Sequence, residues 1–369
     1  MKISTILLLV ILAFSNCNLR EKTTMEITRE MGIGINLGNT MESFGEWIWT
    51  YGDHTPKSYE TAWGSPVITK DMIRGIKSEG FGVMRLPVHW FNMMGPNYTI
   101  NSDYVKRVKE IVNWAIEAKL YVILNIHHDE NEFFKNLPTK TEETIKNFKH
   151  IWTQVADAFK SYDDYLMFES LNEEACWDSV YNEWTGEISD KIKAFDLNFK
   201  LNQAFIDVIR SSGGNNQERH LLLAGYCTDV AKTCDPLYKL PVDPMNRYAI
   251  SMHYYTPSNF CIITEDQGWG KARSTWGTSD DIDELNKNLD LIQKTYINKG
   301  IPVILGEYGA PIKNKDYNSV KNFLYSVCKG AYDRHILPIL WDVAEQHYDR
   351  EAGAMRNKDL RDLLRSVKN

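Results

Sequence analysis

The sequence predicts a single (β/α)8 barrel, and three observations predict it. Eight short apolar runs recur along the 369 residues, segments of helical period separate them, and no linker rich in Pro, Gly or Ser breaks the alternation. The rival architecture, a doubly wound open sheet, usually carries a G-x-G-x-x-G turn after its first strand. Here the first run ends in GINLGNT, residues 34–40, which lacks that turn.

Strands are expected at 33–37, 82–88, 121–126, 165–171, 220–224, 248–253, 302–305 and 337–341. Several are apolar throughout, as strands of a parallel sheet covered on both faces should be. Between them, Val105, Val108, Val112 and Ala115 follow a Ser102 cap, and Ile145, Phe148, Trp152, Val155 and Phe159 form a second stripe. A third runs through Ile282, Leu285, Leu289, Ile292 and Tyr296 and closes at Gly300. Each set steps by three and four, the period of a helix with one buried face.

A composition of 43% hydrophobic and 25% charged residues suits a folded globular chain and excludes a disordered or collagen-like one. The net charge of -7, with 42 basic against 49 acidic residues and no basic block, argues against nucleic acid or an anionic membrane as partner. A neutral or cationic ligand fits better. The 11 Trp and 19 Tyr offer more flat amphipathic surface than a core of this size requires.

Met1 and Lys2 precede an apolar run over 6–14 and then Ser15, Asn16 and Cys17, the order of a secretory signal. The run is shorter than the roughly 20 residues a bilayer span needs, so no transmembrane segment is expected. The expected division is a signal at 1–20 and a catalytic barrel over 25–369, exported as a monomer, with a cell-surface lipoprotein through Cys17 as the alternative. The remaining cysteines make no dense framework, although Cys227 and Cys234 are close enough in sequence to bridge a loop.

In such a barrel the working residues gather at the C-terminal ends of the strands. Seven of the eight predicted ends are polar: Asn36 and Asn39; Arg85 and His89; His127, His128 and Asp129; Asn172, Glu173 and Glu174; His253 and Tyr255; Glu307 and Tyr308; Trp341 and Asp342. A lone His or Arg at a strand end is commonly a satisfied structural group. So many together are harder to explain that way, because burying polar groups costs free energy unless partners are supplied. Glu173 and Glu307 each follow an apolar strand, and paired carboxylates on facing strands are what glycoside hydrolysis requires. Two unrelated surface salt bridges are the bland alternative.

The ordered set GINLGNT (34–40), ETAWGSP (60–66), MRLPVHW (84–90), VILNIHHD (122–129), FESLNE (168–173), ISMHYY (250–255), STWG (274–277) and ILGEYG (304–309) resembles glycoside hydrolase family 5. Within it, the chain is most similar to the subfamily 4 endo-β-1,4-glucanases. The resemblance implies a retaining double displacement with Glu173 as acid/base and Glu307 as nucleophile, needing no cofactor. It also implies that Arg85 pairs with Glu307, that Tyr255 donates its hydroxyl to the same carboxylate, and that Asn172 contacts the sugar 2-hydroxyl. His127 and His253 would line the reacting-sugar subsite, with His128 a further sugar contact beside them. Trp341 would form an apolar platform and Asn39 would reach the neighbouring sugar.

Two positions depart from the family pattern. Glu174 stands where a proline usually follows the Asn-Glu pair, and Glu42 where an Asp often stands. A second acid beside Glu173 could raise its pKa if the carboxylates approach.

The implied partner is a β-glucan: cellulose-type, mixed-linkage or xyloglucan, with xylan and mannan as alternatives on the same barrel. Trp47, Trp49, Trp63, Trp177, Trp184, Trp269 and Trp276 are candidates for further sugar subsites, and filling core or bracing loops explains each equally well. A metal site at His127, His128 and Asp129 is disfavoured, since neighbouring side chains on a strand point to opposite faces, unless the strand has already ended there. A non-catalytic glycan-binding protein would not need paired carboxylates, and an intracellular disaccharidase would not need a signal.

Overall fold

The computed structural model describes residues 21–128, 134–173, 180, 189–344 and 346–368. The expected signal with Cys17 lies outside the described residues, as do Asp129, Glu174, Trp177, Trp184 and the side chain of Trp49.

All eight expected strands form. They are β1 (Gly34–Asn36), β2 (Val83–Leu86), β3 (Tyr121–Leu124), β4 (Leu166–Glu169), β5 (Leu221–Ala224), β6 (Tyr248–Tyr254), β7 (Val303–Tyr308) and β8 (Leu337–Leu340). Each pairs in parallel with its neighbours in chain order, and β8 returns to β1, with Gly34 opposite both Ile339 and Val83. The closed sheet is covered on both faces, which is why its strands read as unbroken apolar runs. β7 runs three residues beyond the expected limit, so Glu307 lies in the strand, paired with His253 of β6 across a shift in register.

The inner layer is Val83, Ile123, Met167, Leu222, Ala249, Ile304 and Ile339, one from each of seven strands. Ile27 and Met31 of helix α1 (Thr24–Met31) pack onto this layer and close the N-terminal mouth. A capping box between Thr23 and Glu26 starts that helix, satisfying backbone donors that would otherwise be left open.

Outside the sheet lie α2 (Lys70–Ser78), α3 (Ser102–Glu117), α4 (Thr141–Phe159), α5 (Lys191–Ser211), α6 (Ser279–Thr295), α7 (Tyr317–Asp333) and α8 (Lys358–Ser366). The expected stripes face inward, with Phe148, Trp152, Val155 and Phe159 fully buried on α4. The cap of α3 is Asn101, whose side chain accepts from the Asp103 amide, and Ser102 is the first helical residue. The alternation of strand and long helix fails between β5 and β6, where the link carries only a four-residue helix, Val230–Thr233. Rings fill that gap: Tyr226 stacks on Phe195 with centroids 4.3 Å apart, and the Tyr296 hydroxyl donates to the Thr233 carbonyl.

Cys227, Cys234, Cys261 and Cys328 are free thiols, so no bridge joins Cys227 to Cys234. No helix among the described residues is long and apolar enough to cross a membrane.

Candidate active site

Arg85 is the hub of the C-terminal mouth. It sits inside β2, fully buried, and its guanidinium donates from Nε to Glu169 (2.6 Å), from Nη1 to Glu307 (2.7 Å) and Asn36 (3.0 Å), and from Nη2 to Asn172 (2.9 Å). These partners come from β1, β4 and β7 and the turn after β4, so one planar fork fixes four pieces of the barrel. Glu169, also fully buried, turns its second oxygen to the Ser251 hydroxyl at 2.7 Å. Asn36 is held in turn by the carbonyls of Gly306 (2.8 Å) and Leu340 (3.3 Å).

The two candidate carboxylates stand on this frame. Glu307 is 7% exposed and receives both Arg85 Nη1 and the Tyr255 hydroxyl, the latter at 2.8 Å. Burial first, and then the Glu307 charge, push the Tyr255 phenol well above its ordinary pKa, so it stays a donor. Glu173 lies four residues past β4 with a side chain 45% exposed, and one of its oxygens comes within 4.8 Å of one from Glu307.

His253 stands between them, with Nδ1 2.6 Å from Glu173 and 3.6 Å from Glu307. Burial alone would lower the His253 pKa, but the carboxylates of Glu307 and Glu173 raise it above the ordinary imidazole value. Burial likewise pushes Glu173 upward, and the hydrogen bond and charge of His253, helped by Arg85, outweigh it and hold Glu173 below the usual carboxylate value.

His127 is buried and held neutral by that burial, its pKa well below the ordinary value. The Asn125 amide donates to its Nδ1 at 3.2 Å, which leaves the proton on Nε2. The Trp341 ring lies parallel to the His127 ring, 9° apart in plane with centroids at 6.0 Å. Gly38 makes room for that indole: a Cβ there would meet the ring at 2.9 Å.

β3 ends at Leu124, before the two histidines, and His128 takes a left-handed turn (φ 61°). The rings of His127 and His128 are therefore neighbours, 4.4 Å apart and nearly perpendicular, and the opposite-face argument against shared ligation does not apply to them. Among the described residues, the grouping with metal-ligand spacing is Glu173, His253 and Glu307, without either of those histidines.

Most of the expected set meets at one open cavity of about 670 Å³, whose wall includes His127, His128, Asn172, Glu173, Tyr255 and Trp341. His253 and Glu307 line it too. Arg85 lies beneath its floor. Asn39 is off this wall, half-buried on a left-handed turn (φ 56°), where its amide and that of Thr40 both donate to the buried carboxylate of Glu42. Glu42 thus shapes the turn carrying Asn39.

Among the tryptophans, Trp63 stands 5.6 Å from His128 and 5.4 Å from Phe44, close to the site. Trp276 is a core residue, 5% exposed and edge-on to Phe323, and is struck from the subsite candidates. Trp47 and Trp269 are exposed, at 48% and 61%.

Sequence reasoning missed Glu169 and Ser251. The signal for Glu169 was present: a charged residue inside the apolar run YLMFESLN requires a buried partner.

A closed parallel barrel with two carboxylates converging at its C-terminal mouth, one locked by an arginine and a tyrosine, is the arrangement of a glycoside hydrolase. Comparison with known proteins narrows that class. The chain belongs to the cellulase family, glycosyl hydrolase family 5, whose profile matches residues 43–347.

Endoglucanase A of Clostridium longisporum is 36% identical over 94% of this chain, which spans 66% of that protein's length. The xyloglucan-specific endo-beta-1,4-glucanase BoGH5A of Bacteroides ovatus is 30% identical over 94% of this chain and 70% of its own. Among solved structures, a GH5-4 broad specificity endoglucanase from an uncultured bovine rumen ciliate superposes with a TM-score of 0.84. It is 36% identical, covering 94% of this chain and 98% of its own.

Proposed function

We propose that the protein is an exported, retaining endo-β-1,4-glucanase that cuts internal bonds of β-glucan polysaccharides. The observation that carries the reading is the approach of Glu173 and Glu307 to within 4.8 Å. Retaining enzymes need carboxyl groups about 5 Å apart, whereas inverting ones leave room for a water between them. The names of the relatives support a β-1,4-glucan substrate, and the N-terminal order of basic, apolar and polar residues supports export.

In this mechanism Glu307 attacks the anomeric carbon. Its oxygens are aimed by Arg85 and Tyr255, so little reorganisation precedes attack. Glu173 donates a proton to the departing glycosidic oxygen, and the leaving sugar carries that proton away. The proton is held in the Glu173–His253 pair, and a bound sugar displaces water from the half-exposed Glu173, which favours its neutral form. Glu173, now ionised, then takes a proton from water, the hydroxide oxygen attacks the glycosyl ester, and Glu307 leaves as carboxylate. Asn172, held by Arg85, contacts the 2-hydroxyl, Trp341 stacks under the pyranose, and His127 offers a neutral N–H donor; His128 lies beside it on the cavity wall.

The test is proton NMR of early products from barley β-glucan and carboxymethylcellulose. The β-anomer should appear first, with polymer viscosity falling early. Inversion, or release only of end sugars, refutes the reading, and equal reducing-sugar release by wild type and Glu307→Gln refutes the role of Glu307. Xyloglucan, xylan and mannan assayed in parallel establish the preferred polymer.

A further inference from the structure

Behind the Trp341 platform lies a buried arginine that the mechanism does not use. Arg350 is 3% exposed, and its fork makes two hydrogen bonds: Nη1 to the Ser65 hydroxyl at 2.7 Å and Nη2 to the carbonyl of Asp342 at 2.9 Å. The same Nη2 lies 3.6 Å from the Asp342 carboxylate, an ion pair with both side chains almost fully buried, while Arg350 Nε has no hydrogen-bond partner among the described residues.

One tethered group sits next to Trp341, which lines the cavity, and the other near Trp63, which stands beside the cavity residue His128. Asp342 directly follows Trp341, and its carbonyl also accepts the Gly38 amide at 3.1 Å, under the indole. Ser65 is two residues beyond Trp63, across Gly64, whose φ of 86° turns the chain sharply. Trp63 in turn rests edge-on against His128, and His128 against His127, the ring parallel to Trp341. Neither Arg350 nor Ser65 lines the cavity.

Packing alone does not explain this arrangement. A half-satisfied buried guanidinium is costly, and an apolar side chain of similar volume would commonly be as stable or more so. What an apolar residue could not supply is a rigid two-pronged link between the end of β8 and the loop bearing Trp63.

We infer that Arg350 is a positioning residue that fixes the separation of Trp341 and Trp63, and thereby sets affinity for glucan chains long enough to touch both. The inference rests on the glucanase reading above. Lysine keeps the charge but not the fork, and Ser65→Ala removes one prong only.

The test compares wild type, Arg350→Lys, Arg350→Met and Ser65→Ala in the full chain. It uses kcat and KM on an aryl β-cellobioside and on cellohexaose, binding of cellohexaose by tryptophan fluorescence, and thermal melting. Arg350→Lys and Ser65→Ala should raise KM and the dissociation constant for cellohexaose about fivefold to tenfold. Turnover of the aryl cellobioside by the folded variants should stay within about twofold, and Ser65→Ala on top of Arg350→Lys should add nothing, since both cut the same link.

Equal losses on both substrates in proportion to lost folded protein would reduce Arg350 to a structural role and overturn the inference. So would unchanged cellohexaose affinity, or full rescue by lysine. If the Arg350 variants do not fold, Ser65→Ala decides alone. A wild type that binds cellohexaose but does not cleave it would sink the glucanase reading while the binding comparison still judges Arg350. If wild type does neither, both fall.

Discussion

Arg85 and Glu169 form an ion pair 2.6 Å long in which neither side chain is exposed to solvent. Glu169 also holds Ser251, so the pair braces β2 against β4 and β6 directly beneath Glu307. Breaking a buried pair by removing one partner typically costs about 3 to 5 kcal/mol, because the other charge is left uncompensated. Glu169→Gln should therefore lower stability by about that amount in urea unfolding and reduce kcat in the protein that remains folded. A variant with wild-type stability would show that the charge at 169 is dispensable.

Tyr255→Phe removes one hydrogen bond to the Glu307 carboxylate and leaves the ring in place. A hydrogen bond to a charged group is worth about 1.5–3 kcal/mol, so kcat on β-glucan should fall about tenfold to a hundredfold. Steady-state kinetics on the purified variant reads the effect, and an unchanged kcat would remove Tyr255 from the reaction.

In the proposed mechanism, Glu173→Ala separates proton donation from attack. On a β-glucan, whose leaving group needs a proton, kcat/KM should fall about 10²- to 10⁴-fold. On a dinitrophenyl cellobioside, whose leaving group needs none, the loss in kcat/KM should be much smaller. Equal losses on the two substrates would mean that Glu173 is not the acid.

The Glu173–His253 contact ties stability to pH on both sides. The raised pKa of His253 contributes stability that is complete below its unfolded value near 6.5 and is lost as pH rises through the higher folded value. The lowered pKa of Glu173 contributes stability present above about 4.5 and lost as pH falls through the lower folded value. The difference in melting temperature between wild type and His253→Asn should accordingly be largest in mildly acidic buffer and shrink above neutrality. A difference that grows with pH would contradict the protonated imidazole.

Gly38→Ala places a methyl group 2.8 Å from the Asp342 carbonyl and 2.9 Å from the Trp341 ring, both too close to keep. Overpacking of this kind costs about 1–3 kcal/mol. The indole should shift, with lower melting temperature and weaker cello-oligosaccharide binding by calorimetry. Wild-type affinity in this variant would show that the platform tolerates displacement.

The barrel was legible in the sequence because eight apolar runs of strand length, separated by helical stripes, leave little choice of architecture. Glu173 and Glu307 were legible through the motifs around them. What the sequence did not reveal is who meets whom beneath the surface. Glu169 looks like part of an apolar strand until Arg85 is seen to face it across the interior. Trp276 stood open between sugar subsite and core because tryptophan content says nothing about which rings are buried, and it is core. For His127 and His128 the opposite-face argument holds only inside a strand; the strand ends before them, and a left-handed residue at 128 brings their rings together. The missing long helix between β5 and β6 escaped notice because tertiary contacts of Tyr226 and Tyr296 fill its place.

Helix α1 seats Ile27 and Met31 on the packed inner layer at the N-terminal mouth, which leaves the opposite rim, where the described cavity opens, as the working face. In the proposed reaction, substrate, water and product meet the protein at that rim. Under that reading, selection among polymers falls to the loops along the rim. They can be lengthened, re-shaped or given new rings without disturbing the sealed interior that keeps the carboxylates in register.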